Sequence, residues 1–575
     1  MCDRAPLNQR PSPGFIRGLA FVIIAGFATA WVSFAPCAIA QSIPHLERRG
    51  AVTQLIVGGE PFIMLGGELH NSSASSLEYM EPIWPRLASM NLNTVLVTVS
   101  WELIEPQESQ FDFHLVDGLL SQASHHNLKV VLLWFGSWKN GVSSYVPGWV
   151  KKDVIRFPRV EGQAGERIEV LTPLGEAACK ADARAFGALM QHLKQVDGKR
   201  HTVIMVQVEN EVGLLGDPRD RSKAADAQFA KPVPPALLEY FVSHKTALIP
   251  EFKACWEAAG AKTAGTWAEV FGEGADEAFM AWHYARYINA IAGAGKKEYS
   301  LPMYANAWLV QDDKQRAGQY PSGGPVSKVL DVWRAAGTSI DLLAPDIYLP
   351  DFKGVCESYS RSGNALFIPE AGTDAACGAR AFYAIGQHAA MGFSPFGIDS
   401  IGQNASPSFS TFGIDSIGYI PPVRESYAVL AGLMPTITKF QPEGKVIGLL
   451  QDKTDRETKQ LAGYNLEVNY SSKDKNGQPG YGLVIATAAD EFMVAGAGIG
   501  IHFSGATAGP KHTGILAIDE WVSEPIKSML SSKTSRVGHL VKGRRMNGDE
   551  NAGGWRLELP PGKPTIQQIN LYRYE

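Results

Sequence analysis

Two patterns of apolar positions divide the chain, and they switch near residue 440. Between residues 60 and 420, short continuous apolar runs recur: "PFIMLGGEL" (61–69), "NTVLVTVSW" (93–101), "KVVLLWFGSW" (129–138), "TVIMVQVEN" (202–210), "PMYANAWL" (302–309), "IDLLAPDIY" (340–348), "ALFIPEAG" (365–372) and "GFSPFGIDS" (392–400). A run with no polar alternation is a strand buried on both faces, as in a parallel sheet covered by helices. Stretches with helical spacing lie between the runs, among them "PIWPRLASM" (82–90) and "ACKADARAFGALMQHLKQV" (178–196). Eight strands alternating with helices predict an α/β fold, a (β/α)8 TIM barrel.

One interval, 214–301, is too long for a simple connection. Within it "ADEAFMAWHYARYINAIAG" (275–293) predicts a helix, and the remainder, including "TAGTWAEVFGEG", reads as a loop elaboration on the functional face. After residue 440 apolar and small residues alternate, as in "GYGLVIATAADEFMVAGAGIGIHFSG", "GILAIDEWV", "GWRLELP" and "IQQINLYRY". This pattern predicts an antiparallel C-terminal β-sandwich. The expected division is a barrel over 41–435 and a sandwich domain over 440–575.

In such barrels the functional groups sit at the carboxyl ends of the strands. Read in order, those ends offer Glu68, His70 and Asn71; Trp101, Glu102 and Glu105; Trp138, Lys139 and Asn140; Glu209, Asn210 and Glu211; Asn306 and Trp308; Asp346 and Tyr348; Glu370; and Asp399. Burying a carboxylate is costly unless it is paired or used. Two carboxyls at the ends of strands four and seven can face each other across the mouth, the arrangement that glycoside hydrolysis needs. Glu211 and Glu370 hold those positions. Glu211 is the expected acid/base, Glu370 the expected nucleophile, and Asn210 the expected donor to a sugar 2-hydroxyl. A separation of about 5–5.5 Å would mean double displacement with retention. Tyr348 is expected to pack in the core or to bond Glu370. His70, Asn71, Trp138, Lys139, Asn140 and Asn306 are candidate sugar contacts. Glu209 is expected to pair with a nearby base or hydroxyl, and Asp346 and Asp399 to be structural.

The segment 1–40 is different material. Arg4, Arg10 and Arg17 precede "GLAFVIIAGFATAWVSFA", and Ala38-Ile39-Ala40 follows, which reads as a secretory signal cut after Ala40. An uncleaved membrane anchor is the alternative. The expected location is therefore the periplasm, or secreted or membrane-anchored, with no membrane contact after cleavage. The net charge of −5 and the lack of a long basic run argue against a nucleic-acid partner. Cys179, Cys255, Cys356 and Cys377 remain after cleavage and form no zinc-ligand pattern, so neither a metal nor an organic cofactor is expected. Free thiols are the expectation, with Cys356–Cys377 the likelier pair if a disulfide forms. The oligomeric state is left open.

Several motifs carry a resemblance: Gly66-Gly67-Glu68-Leu69-His70; Trp101-Glu102-Leu103-Ile104-Glu105-Pro106 followed by Phe111-Asp112-Phe113; and Gln207-Val208-Glu209-Asn210-Glu211-Val212-Gly213. Over residues 50–430 the sequence resembles glycoside hydrolase family 35, chiefly β-galactosidases, in a bacterial branch with an accessory C-terminal β domain. The resemblance implies that Glu211, the second glutamate of Glu-Asn-Glu, is the acid/base. It also implies an exo-acting enzyme that removes terminal β-D-galactose, and galactosylated xyloglucan fragments suit an exported member. The chain departs from the family at Glu102, Asn71 and Val212 and in the "FGSWKNG" loop. A retaining β-glycosidase for another sugar (a β-glucoside or α-L-arabinopyranoside) is the near alternative. A carbohydrate-binding protein without catalysis is the distant one.

Overall fold

The structure is a computed structural model, and it describes residues 42–400, 423–524, 539–546 and 554–575. The expected secretory segment 1–40 lies outside the described residues. The eight expected strands are all present: β1 (Met64–Leu65), β2 (Thr94–Ser100), β3 (Lys129–Lys139), β4 (Val203–Asn210), β5 (Met303–Trp308), β6 (Leu342–Ile347), β7 (Ile368–Ala371) and β8 (Gly392–Pro395). They form one eight-stranded sheet in the order β1-β8-β7-β6-β5-β4-β3-β2, with parallel neighbours. Glu68 closes the ring, forming parallel bridges to Leu96 on one side and Phe396 on the other.

Alternation along each strand sorts its residues between two cores. On β3, Val131, Leu133 and Phe135 join Leu96, Met205, Tyr304 and Phe367 in the barrel interior. Val130, Leu132 and Trp134 pack outward into the layer shared with the helices. This is why the strands read as unbroken apolar runs. A small antiparallel sheet (His45–Arg49, Val52–Val57, Glu60–Phe62) supplies Leu46, Leu55, Val57 and Phe62 to the interior core.

The helix Glu176–Asp197 matches its expected span, and Ile83–Ser89 lies inside its own. The long interval needs correction. The helix Ala275–Glu298 packs against Glu176–Asp197 as an ordinary barrel helix, so the insertion ends before it. The remainder is mostly helical rather than loop: Lys223–Phe229, Pro235–Ser243, Pro250–Ala258 and Trp267–Phe271. Phe241 is the hub of the insert, its ring meeting those of Phe252, Trp256 and Phe271. The last of these short helices starts with a capping box, Thr266 and Glu269 satisfying each other's backbone N–H.

Beyond residue 445 two antiparallel sheets follow, one of six strands and one of four. Their facing residues, including Leu449, Leu466, Val484, Phe492, Val494, Ile501 and Ile569, make a separate core, as expected of a sandwich. The six-stranded sheet is apolar on both faces. Leu483, Ile485, Met493, Ala495 and Ile566 point the other way and join the main core. They meet the barrel helices Cys377–His388 and Val423–Phe440. At the tightest point a Cβ on Gly448 would lie 2.7 Å from both Gln387 N and Tyr383 O, and one on Gly386 would lie 2.9 Å from Gly448 Cα. Backbone cannot yield as a flexible side chain does. Gly448→Ala is therefore expected to destabilise the protein by about 1–3 kcal/mol, read as earlier thermal unfolding. An unchanged melting curve would contradict this packing. Among the described residues all four cysteines are free thiols, Cys356 and Cys377 being buried.

Candidate active site

β4 runs buried along its full length and ends in Glu209-Asn210-Glu211. Glu209 and Glu211 both have left-handed backbones, with φ of 63° and 44°. Such a conformation costs a non-glycine residue about 1–3 kcal/mol and persists only where the surroundings enforce it. Here the surroundings are polar and fully enclosed. The Glu209 carboxylic group accepts from Trp138 N (2.7 Å) and Ser137 N (3.1 Å). Beside it Asp182 accepts from Trp134 Nε1 (2.9 Å), Ser137 N (3.0 Å) and Ser137 Oγ (2.6 Å). Burial, then the Asp182 charge, pushes Glu209 well above the usual carboxyl range, and burial raises Asp182 as well. Gly136 leaves the room the pair occupies: a Cβ there would lie 2.5 Å from Glu209 Oε1 and 2.8 Å from Asp182 Oδ2. Asn140 N donates to Asn210 O (3.2 Å), and Glu211 N donates to Asn306 Oδ1 (3.0 Å). The turn is thus held from both sides, and Glu211 is aimed into the mouth.

Across the mouth stand Asp346 and Glu370, paired in register between β6 and β7. One carboxyl oxygen from each of Glu211, Asp346 and Glu370 lies within 4.8 Å of the other two. All three side chains are buried, with residue exposures of 6%, 2% and 7%. Tyr348 OH donates to Glu370 Oε1 (2.5 Å), and Asn306 Nδ2 donates to Asp346 Oδ2 (2.7 Å). Glu370 Oε2 and Asp346 Oδ1 have no partner among the described residues. Burial first, then the Glu370 charge, raises Glu211 to about 7, against the pull of the Lys139 ammonium. The same two causes raise Asp346 well above its usual range. A carboxyl held protonated by its surroundings to near neutral pH can serve as a general acid. If Glu211 acts as a general acid, the pH profile of kcat/KM is expected to fall on the alkaline side through about pH 7, as Glu211 gives up its proton. A profile level from pH 6 to 9 would contradict that role.

The trio is also the one His/Cys/Asp/Glu group among the described residues with the spacing of a metal site. Its surroundings suit protons better than a cation. The Tyr348 hydroxyl and the Asn306 amide already donate to two of the carboxyls. The Lys139 charge bears on Glu211.

The other candidates divide. Asn210 is enclosed, with both amide atoms unpartnered among the described residues, as a residue awaiting a ligand would be. Asn71 Oδ1 and Asn140 Oδ1 are likewise enclosed and unpartnered, Asn140 on a left-handed backbone at φ 52°. His70 is half-exposed, its Nδ1 2.9 Å from Asp399 Oδ1 and its ring edge-on to Phe396. Asp399 also takes Ser73 Oγ (2.6 Å) and His70 N (3.1 Å), a structural role as expected. Lys139 is buried over the Phe135 ring.

Two residues need correction. Trp138 is fully buried between Tyr284 and Tyr287, its Nε1 on Leu171 O (3.0 Å), and is part of the helix-facing core rather than a sugar platform. Asn306 spends its amide on Glu211 N and Asp346, so it positions the carboxyls rather than waiting for a hydroxyl. Sequence reasoning missed Asp346 as a member of the array, and it named Glu68 at a strand end without choosing it. Glu68 is buried in the same mouth, its carboxyl raised well above the usual range by burial and then by the Glu370 charge.

Residues 76–233 match the family model Glyco_hydro_42, described as beta-galactosidase, and residues 423–558 match a domain of unknown function, DUF5597. A β-galactosidase from Xanthomonas manihotis is 29% identical over 199 residues, which are 33% of this chain and 30% of that relative. The chain thus spans less than a third of the length of the curated relative it matches. Among solved structures, β-galactosidase from Marinomonas ef1 is 12% identical with a TM-score of 0.44, over 65% of this chain and 60% of its own. The catalytic domain of β-amylase from Paenibacillus polymyxa is 11% identical with a TM-score of 0.42, over 58% and 92%. The matching family model is that of family 42, so the comparison supports the coarser half of the sequence resemblance and not family 35 in particular. Residues 76–233 are thus similar to a glycoside hydrolase family, and they lie on a fold of the TIM-barrel kind.

Proposed function

We propose that the protein is a retaining, exo-acting β-galactosidase. The observation that carries this reading is the approach of the Glu211 and Glu370 carboxyl oxygens to within 4.8 Å. Inverting enzymes hold their carboxyls about 6.5–9.5 Å apart, to admit the attacking water between the general base and the sugar, whereas retaining enzymes hold them about 5–5.5 Å apart. Galactose as the sugar is supported by the likeness to the beta-galactosidase family model and to the Xanthomonas manihotis β-galactosidase. Exo-action is supported by the deep burial of both carboxyls, which suits one terminal sugar better than a chain lying across the mouth.

In this reading Glu370 Oε2 attacks the anomeric carbon while Tyr348 OH holds Oε1 in place. Glu211, protonated by its buried setting, gives its proton to the leaving oxygen. The glycosyl–Glu370 ester forms, and the aglycone departs. Glu211, now ionised, takes a proton from water, which attacks the same carbon from the face the aglycone left, breaks the ester bond and returns Glu370 as a carboxylate. Asn210 donates to the 2-hydroxyl, a contact that strengthens as positive charge develops in the ring. Galactosylated xyloglucan fragments are the proposed natural substrates, and the basic, apolar, Ala-x-Ala order of residues 1–40 supports export.

Proton NMR of the first product from an aryl β-galactoside tests the stereochemistry. β-Galactose appearing before mutarotation supports the reading, and α-galactose as the first product overturns it. Chromatography after incubation with galactosylated plant oligosaccharides tests the substrate, with free galactose the expected product.

A further inference from the structure

Glu68 has no part in the mechanism just described, yet the fold places it with care. Its backbone is fully engaged in closing the barrel: Glu68 N donates to Pro395 O (2.8 Å), Glu68 O accepts from Ile398 N (3.0 Å), and parallel bridges tie it to Leu96 and Phe396. Closure therefore needs nothing from the side chain. The side chain is 1% exposed, and its Oε1 has no hydrogen-bond partner among the described residues. An enclosed carboxyl without a partner is costly, and a structure that keeps one has a use for it.

The groups that bear on it are those of the reaction itself: the Glu370 and Glu211 carboxyls, the Lys139 ammonium, Asp346, and the hydroxyls of Tyr304 and Tyr348. Asn210, equally enclosed and equally unpartnered, lies in the same mouth. Glu68 and Asn210 thus join Glu370 and Asp346 among the enclosed side chains with unpartnered polar atoms, and a ligand in the mouth would complete their hydrogen bonds. A sugar ring is a ligand with a hydroxyl for each.

We propose that Glu68 is a glycone-binding residue, hydrogen-bonded to one ring hydroxyl of the sugar in the catalytic subsite and thereby helping to select that sugar. The inference rests on the glycosidase reading above. Burial first, then the Glu370 charge, raises the Glu68 carboxyl well above its usual range; in its protonated form its O–H donates while its carbonyl oxygen accepts, and one hydroxyl satisfies both. A site built to bond a hydroxyl discriminates strongly against the analogue lacking it, because the enclosed polar group is then left unpaired.

The test is a mutant cycle between side chain and substrate. Wild type, Glu68→Ala and Glu68→Gln are assayed on 4-nitrophenyl β-D-galactoside and on its 2-, 3-, 4- and 6-deoxy analogues. Glu68→Ala is expected to lower kcat/KM on the parent about 10- to 100-fold. On the one analogue that lacks the bonded hydroxyl it should lower it no more than about twofold. Glu68→Gln, which keeps a donor and an acceptor, recovers most of the loss. An equal loss on the parent and all four analogues, or no loss on the parent, overturns the proposal. If Glu68→Ala does not fold, Glu68→Gln is carried through the same panel, with a smaller but equally analogue-specific loss expected. A wild type that hydrolyses none of these compounds removes the β-galactosidase reading. Calorimetric titration with galactose and the deoxygalactoses, on wild type and Glu68→Ala, then decides the role of Glu68: weaker binding of every sugar but one supports it, and a uniform change sinks it.

Discussion

Glu370→Gly is expected to abolish turnover, with kcat on an aryl β-galactoside falling by about 10⁴-fold or more. The substitution removes the oxygen that attacks while leaving Glu211, still positioned by Asn306, able to protonate the leaving group. It also opens a space on the face of the sugar from which Glu370 would attack. Added azide or formate should enter that space and restore glycosidic cleavage, and with azide the product should be α-galactosyl azide, inverted relative to the substrate. Neither Tyr348 nor Asp346 substitutes for the lost oxygen: burial raises the Tyr348 hydroxyl, which keeps its proton, and Asp346 is engaged by the Asn306 amide. Activity retained without an added nucleophile would move the attacking role to another carboxyl.

Glu211→Ala should produce a different pattern. Loss of general acid catalysis typically costs about 10²–10⁴-fold, and here the cost should depend on the leaving group. A natural oligosaccharide, whose leaving alcohol needs a proton, loses most. An aryl galactoside with an acidic phenol reacts in the first step with little loss and then stalls as the glycosyl-enzyme, because no base activates water. Azide should relieve that stall and give the β-galactosyl azide, the opposite configuration from the Glu370→Gly product. The alkaline limb near pH 7 should also vanish, because Glu211 is the group pushed to about 7. An equal loss on good and poor leaving groups would assign Glu211 to structure.

The barrel was legible because burial on two faces leaves a plain trace. β2 and β4 are enclosed on both faces by the interior and by the helix layer, and they read as unbroken apolar runs. The insertion was not legible as helices because its elements are five to nine residues long, too short for a periodic stripe to stand out. The Thr266-Glu269 capping box was the signal that could have found one of them. Glu211 was singled out by the Glu-Asn-Glu motif and its strand number, and Glu370 by its strand number, and the structure brings their carboxyls together. Trp138 went wrong through parity. It shares its side of β3 with Trp134 and faces the helices, while Lys139 shares the side of Phe135 and faces the mouth. The period-two alternation of a strand carries that information. Asp346 and Glu68 needed more, since only the register of β6 against β7, and of residue 68 against its two neighbours, brings them among the acids. The Asp182–Glu209 pair joins a helix to a strand end 27 residues later, and no local pattern predicts it.

The central claim is that Glu370 becomes covalently bonded to the sugar. Incubation with an activated 2-deoxy-2-fluoro-β-galactoside, followed by proteolysis and mass spectrometry, tests it most directly. The fluorine slows both steps, and the good leaving group lets the first one proceed. The expected result is one added fluorogalactosyl group, on the peptide containing Ile368-Pro369-Glu370 and on the Glu370 side chain. A label on Glu68, Asp346 or Glu211, or rapid turnover with inversion and no label, would contradict the account.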